Sequence, residues 1–204
     1  MEYHLENKLT ISLLGRSGSG KGTQALFAVE KLKREGSIHI STGALLRRLM
    51  RRSTPAGRIT RDIMERGDLH PSWVAAYTWF KIIFEQRGSE RHLVFDGAPR
   101  RIWEAKLLDE VMKWHGRLMP LCVYIDVSRR EAMRRLLARG RADDTVVAIE
   151  NRLDYFVKDV VPVLRYYKHR NRLIRVNGEQ PPEKVWNDID KALRKKLEKK
   201  WPRS

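Results

Sequence analysis

The sequence predicts an α/β fold, with a five-stranded parallel β-sheet covered by helices on both faces. Three observations carry this. Short apolar, β-rich runs alternate with stretches of helical spacing along the chain, the pattern of parallel sheets. A glycine-rich loop, GRSGSGKGT from Gly15 to Thr23, directly follows the first run. Further polar motifs start just past strand ends, where ligands bind in such sheets. A length of 204 residues suits one domain with small inserted lobes.

Leu9–Leu14 (LTISLL) is the first strand, ending at Gly15. Lys21–Glu35 has helical spacing, with Ala25, Leu26, Val29 and Leu32 expected on one face, and Gly36 stops it. Ser37–Ser41 reads as the second strand. Leu45–Arg52 and Arg58–Arg66 read as short helices, broken between them by Pro55 and Gly57 and closed by Gly67. Pro71 can open the next helix, which Trp73–Glu85 continues. Its aromatic residues, Trp73 to Phe84, are spaced for packing rather than for base stacking. His92–Phe95 is a third strand, ending at Asp96-Gly97, and Arg101–Trp114 a helix. Leu121–Val127 is the fourth strand. Ser128 then caps a helix, with Glu131 in capping-box spacing. Asp144 or Thr145 starts a long helix towards Arg170, with a kink expected at Pro162. Leu173–Val176 is the fifth strand, and Pro182–Lys200 a basic closing helix.

Hydrophobic residues make up 42% of the chain, enough for a packed core. No apolar run approaches the roughly 20 residues that span a bilayer. The segment Met1–Lys8 is polar and lacks a signal-peptide core, so a cytoplasmic protein is expected. The single cysteine, Cys122, lies in an apolar run and reads as an inert core thiol. It excludes an intramolecular disulfide and a cysteine-rich zinc site, and the six histidines show no metal-ligand spacing. A net charge of +17 points to anionic partners, nucleotide phosphates or nucleic acid.

Gly15, Gly18 and Gly20 let the loop backbone fold round an anion, so that N–H groups and the start of the next helix face it. Lys21 can reach the β- and γ-phosphates. The general loop pattern places Ser or Thr directly after the lysine, whereas here Gly22 intervenes before Thr23.

Gly-Lys-Gly-Thr-Gln at 20–24, STGALLR at 41–47, VFDGAPR at 94–100 and RLLARGRADD at 135–144 with Arg152 downstream occur in this order. Together they resemble the motifs of adenylate kinases and related nucleoside monophosphate kinases. The resemblance implies a P-loop NTPase-type core (residues 1–41, 91–138 and 145–204), a helical lobe for the nucleoside monophosphate (about 42–90) and a lid (about 139–144). It also implies phosphoryl transfer from magnesium-ATP to a nucleoside monophosphate, with AMP first. ATP would lie against Gly15, Ser17, Gly18, Ser19, Gly20, Lys21, Gly22 and Thr23. Arg135 would stack on its adenine, Arg139 would contact its phosphates, and the backbone near Gln180 would read the base. The acceptor would meet Thr42, Arg47, Asp68, His70, Gly97, Arg100, Glu104, Arg141 and Arg152. Lys21, Arg100, Arg139, Arg141 and Arg152 would surround the transferring group, and Asp143 would position the lid arginines. Magnesium would bind through water near Thr23 and Asp96. Members of the family are mostly monomers.

The chain departs from this pattern in two places. Only Gly140, Arg141 and Ala142 separate Arg139 from Asp143, so the lid is minimal and weak exclusion of water is expected, with some unproductive ATP hydrolysis. Glu104 stands where the family has a glutamine that reads the base. An ionised carboxylate can only accept hydrogen bonds, which leaves GMP, CMP and UMP open beside AMP. The excess charge and the basic segment Arg194–Lys200 leave a second reading open, an ATP-binding protein associated with RNA or the ribosome. A weaker form of it is a nucleic-acid contact through that helix.

Overall fold

The computed structural model describes residues 7–85 and 90–202. Most of the polar segment Met1–Lys8 therefore lies outside the described residues. Five strands form one sheet in the order β2-β3-β1-β4-β5. They are β1 (Thr10–Leu14), β2 (Ser37–Ser41), β3 (His92–Asp96), β4 (Leu121–Asp126) and β5 (Leu173–Asn177). Every neighbouring pair is parallel. The strand order reverses at β1, so the crevice beside its C-terminal end is where a ligand is expected.

Side chains alternate across each strand, and both faces are apolar. Ile11, Leu13, Val94, Val123 and Ile125 pack with α1 (Lys21–Lys31), α7 (Val146–Tyr155) and α9 (Pro182–Leu197) through Ala25, Ala28, Ile149, Leu153, Val185 and Ile189. On the opposite face Leu93 and Phe95 meet Trp79, Ile83, Leu108 and Met112 of α4 (Ser72–Glu85) and α5 (Ile102–Trp114). Leu14 and Cys122 meet Val163 and Tyr167 of α8 (Val161–His169) on that side. Trp201, 1% exposed, closes the chain against the first face, and its indole N–H donates to Asp190 at 2.8 Å.

The helices differ from expectation at four points. Leu26 is 60% exposed, and Ala28 takes the core position. The buried face therefore runs 25, 28, 32, with Leu26 about 100° round the helix from Ala25. Pro55 and Gly57 do not break a helix: they lie inside α3 (Pro55–Arg66), capped by the Thr54 hydroxyl, which accepts from the Gly57 N–H at 3.1 Å. Proline suits the first helical position because the N–H it lacks would be unpaired there. Pro162 is accommodated one turn early, by a π-helical turn at Phe156–Val160 between α7 and α8. A wider turn relieves the clash between the proline ring and the carbonyl four residues before it. In α4 the packing reading holds for one face: Trp79 is 1% exposed, while Trp73, Tyr77 and Phe84 face outward.

At the second helix after the loop, α2 (Thr42–Met50), the Ser41 hydroxyl caps the first turn by accepting from the Ala44 N–H. For α6 (Arg129–Arg139) half of the expected capping box forms. The Ser128 hydroxyl accepts from the Glu131 N–H at 3.2 Å, but the Ser128 N–H donates to Glu179. The Glu131 carboxylate is taken instead by Arg134 and Arg135.

Candidate active site

A cleft of about 860 Å³ opens beside the C-terminal end of β1. The phosphate loop and α1 form its floor, α2–α4 one wall, and the end of α6 with the turn to α7 the other. Gly15 and Gly18 are in conformations that only glycine takes easily, and added Cβ atoms would meet the Ile125 carbonyl at 2.5 Å and the Ala132 carbonyl at 2.8 Å. Gly20 caps α1 without a side-chain acceptor, so the first N–H groups of that helix face an anion site. Ser17, Gly18, Gly20, Lys21, Gly22 and Thr23 line the cleft, whereas Gly15 and Ser19 support the loop behind it. The Lys21 ammonium donates to the Gly15 and Arg16 carbonyls at 2.9 and 2.7 Å. Burial pushes its pKa down to about 8; nearby Asp96 opposes this, and Arg100 and Arg139 add to it.

Asp96 ends β3 at the cleft, accepts from the Ser41 hydroxyl at 3.2 Å, and lies 3.8 Å from the His39 imidazole. Burial raises its carboxyl, but His39, Lys21 and Ser41 outweigh this and hold it below the ordinary range. Gly22 backs onto it: a Cβ there would stand 3.4 Å from Oδ2. Among the described residues no group of three or more His, Cys, Asp or Glu side chains is placed to hold a metal. The Asp96 carboxylate and the Thr23 hydroxyl, both at the cleft, are hard oxygen donors. They fit a magnesium ion that keeps its waters and binds mainly through substrate phosphates.

The arginines divide into held and open ones. Arg139 donates to Asp144 through two nitrogens, at 2.8 and 2.7 Å. Arg152 donates to Asp144 at 2.7 Å and to Asp143 at 2.8 Å. Asp144, its side chain fully buried, thus bridges both arginines across the turn from α6 to α7. Arg100 is held by the Gly97 carbonyl at 2.7 Å and the Tyr155 hydroxyl at 3.0 Å. Arg135 lies along the cleft with its guanidinium on Glu131 and the Gly178 carbonyl. Arg47 and Arg141 line the cleft, and neither guanidinium has a hydrogen bond or ion pair among the described residues. Burial and then Arg141 lower the Arg47 pKa, as expected where two cations face a space awaiting an anion.

Of the other expected residues, Asp68 and His70 line the cleft, just before α4. Thr42 and Glu104 are buried, at 3% exposed each, and like Gly97 do not line it. The Glu104 carboxylate accepts from the Arg100 N–H at 2.7 Å, in the segment just before α5. Gln180 is also outside the cleft, its amide donating to Asn177 and Asp188. Tyr155, His39, Arg48 and Leu26 line the cleft and were not expected there. For Arg48, adjacency to Arg47 was a usable signal. Tyr155 had none, since its partner Arg100 is far away in sequence.

Against this geometry, a family model described as adenylate kinase matches residues 13–172. The chain belongs to the adenylate kinase family. The adenylate kinase of Thermus thermophilus is 36% identical, over 90% of this chain and 96% of its own length. Adenylate kinase 1 of a Nostoc species is 34% identical, over 88% and 96%. The adenylate kinase of Methanocella arvoryzae is 33% identical, over 90% and 97%. As a member of the adenylate kinase family the chain is a phosphotransferase, a nucleoside monophosphate kinase. Among the described residues no helix is long and apolar enough to cross a membrane.

Proposed function

We propose that the chain transfers the γ-phosphoryl group of magnesium-ATP to AMP, giving two ADP. The observation that carries this reading is the cationic ring of one cleft: Lys21 on the floor, Arg100 between the halves, Arg47 on the acceptor wall, and Arg139, Arg141 and Arg152 opposite. An oxygen of the AMP phosphate attacks the γ-phosphorus as the bond to the β–γ bridging oxygen breaks. The leaving group is ADP. Such a transfer needs fixed positive charge round the equatorial oxygens and in-line placement rather than a protein nucleophile.

In this reading the phosphate loop and Lys21 hold the donor triphosphate, with Arg135 beside its base. Arg47 binds the acceptor phosphate, and Arg100 spans acceptor and transferring group. Arg139 and Arg152 are pre-aimed by Asp144 and Asp143, which reduces reorganisation at the moment of transfer. Arg141 closes on the phosphates from the turn. Magnesium, held through water by Asp96 and Thr23, would supply further charge on the donor phosphates. The same reading takes the protein as a monomer of the cytoplasm.

The test is a coupled assay of ADP formation with ATP and AMP, GMP, CMP or UMP in parallel. AMP is expected as an efficient acceptor, and ADP formation with none of the four would end the reading. Lys21→Met should lower turnover by about 10²–10³.

A further inference from the structure

Where α2, α3 and α4 meet the cleft, three buried apolar side chains line it: Leu46, Met64 and Ile82, each no more than 8% exposed. Arg47, Arg48 and Asp68 also line this side, and among its polar side chains one is buried. His70, in the loop before α4, is 6% exposed and also lines the cleft. Its backbone is pinned, since the His70 carbonyl accepts from Arg101 at 3.1 Å. Its Nε2 is fully buried and has no hydrogen-bond partner among the described residues. A buried polar atom without a partner is uncommon in a native fold and calls for an explanation. His70 itself lines the ligand cleft, and an imidazole turned towards a ligand there would gain the partner.

The residue expected to read the base is otherwise engaged, because Glu104 lies off the cleft and accepts from the Arg100 backbone. Burial also pushes the His70 pKa down to about 4, with Arg100 adding to the effect, so the imidazole is neutral at ordinary pH. Neither ring nitrogen has a protein partner among the described residues to fix the tautomer. A neutral imidazole can therefore present either an N–H or a lone pair at Nε2.

We propose that His70, through Nε2, and not Glu104, contacts the edge of the acceptor base, and that the site takes purine monophosphates bearing either a 6-amino or a 6-keto group. The imidazole would accept from the amino group in one case and donate to the keto oxygen in the other. This rests on the reading of the cleft as a site for AMP, which sets the ring size.

The experiment compares AMP with inosine monophosphate, which carries the keto group without guanine's extra amino group. The native chain, His70→Val, His70→Gln and Glu104→Gln are each measured for kcat and KM, and for binding of both nucleotides by calorimetry. The native chain should use the two with kcat/KM within about tenfold. His70→Val should raise KM and Kd for both by roughly tenfold, the size of one neutral hydrogen bond. Its KM for ATP should stay unchanged, which also shows that the fold is intact. His70→Gln, whose amide offers both a donor and an acceptor, should restore most of the AMP affinity. Unchanged affinity in His70→Val overturns the assignment. So does a tenfold shift of the AMP-to-inosine-monophosphate ratio in Glu104→Gln, or native discrimination beyond about a hundredfold. Loss of calorimetric AMP binding in His70→Val without phosphoryl transfer by the native chain would refute the kinase reading alone and leave His70 as the base contact.

Discussion

Lys21 is held at the floor of the cleft with its pKa near 8 rather than the ordinary 10.5. Between those values the unfolded chain binds more protons than the folded one, so this group makes the free protein more stable as pH rises from about 8 to about 10.5. A bound triphosphate reverses the shift, because an adjacent anion favours the charged ammonium. Triphosphate binding near pH 8 is therefore expected to take up a proton, and to weaken as pH rises through and beyond 8. Calorimetry in two buffers of different ionisation heat reads this directly, and equal apparent enthalpies at pH 8 would refute it. At this scale the conformation of the loop was legible in the sequence, since glycine spacing acts locally. The direction of a side chain was not. Glu104 stands at a base-reading position of the motif, but its carboxylate turns back to the Arg100 N–H. His70 gave no sign of its unpaired nitrogen, which depends on burial set by tertiary packing.

The turn from α6 to α7 shows how an element can be short and still ordered. Gly140 adopts a left-handed conformation that ends α6, and the Asp144 N–H donates back to the Arg141 carbonyl at 2.8 Å. Asp144 then joins Arg139 on one helix to Arg152 on the next. Removing one partner of a buried ionic cluster leaves charge uncompensated. Asp144→Ala should cost roughly 2–4 kcal/mol, less than for an isolated pair because Asp143 still holds Arg152 and Arg139 can reach solvent. For a chain of this size that is about 5–15 °C in Tm. Turnover should fall with it, and a thermal scan beside the kinase assay checks both; an unchanged Tm would show that the bridge contributes nothing. Strands and most helices were legible from alternation and caps. The π turn ahead of Pro162 and the exposure of Leu26 were not, because both are settled by packing across the sheet.

Across the whole molecule the excess charge is unevenly placed. Acidic side chains are used in pairs such as Arg172–Asp109, Arg101–Asp159 and Arg129–Asp154. The stretch from Ser41 to Arg61 has six arginines and no acid, and none of the six forms an ion pair with a described residue. It covers α2 and the start of α3, with Arg47 and Arg48 opening into the cleft. A one-signed surface beside a cleft attracts anionic substrates at long range and is screened by salt. The kcat/KM for the acceptor should therefore fall roughly threefold to tenfold between about 20 and 200 mM salt. Replacing Arg51 and Arg58 with glutamate should flatten that dependence, and a salt-independent native enzyme would refute the idea. The cross-braced turn beside the cleft has a consequence in time as well as in space. Where a mobile lid must swing open before product leaves, its motion through solvent can set the pace of turnover. Here Asp144 ties the turn to both flanking helices and leaves little that must swing. The maximal rate should therefore be nearly indifferent to added glycerol or sucrose, and a rate falling in proportion to viscosity would show that some larger motion still governs release.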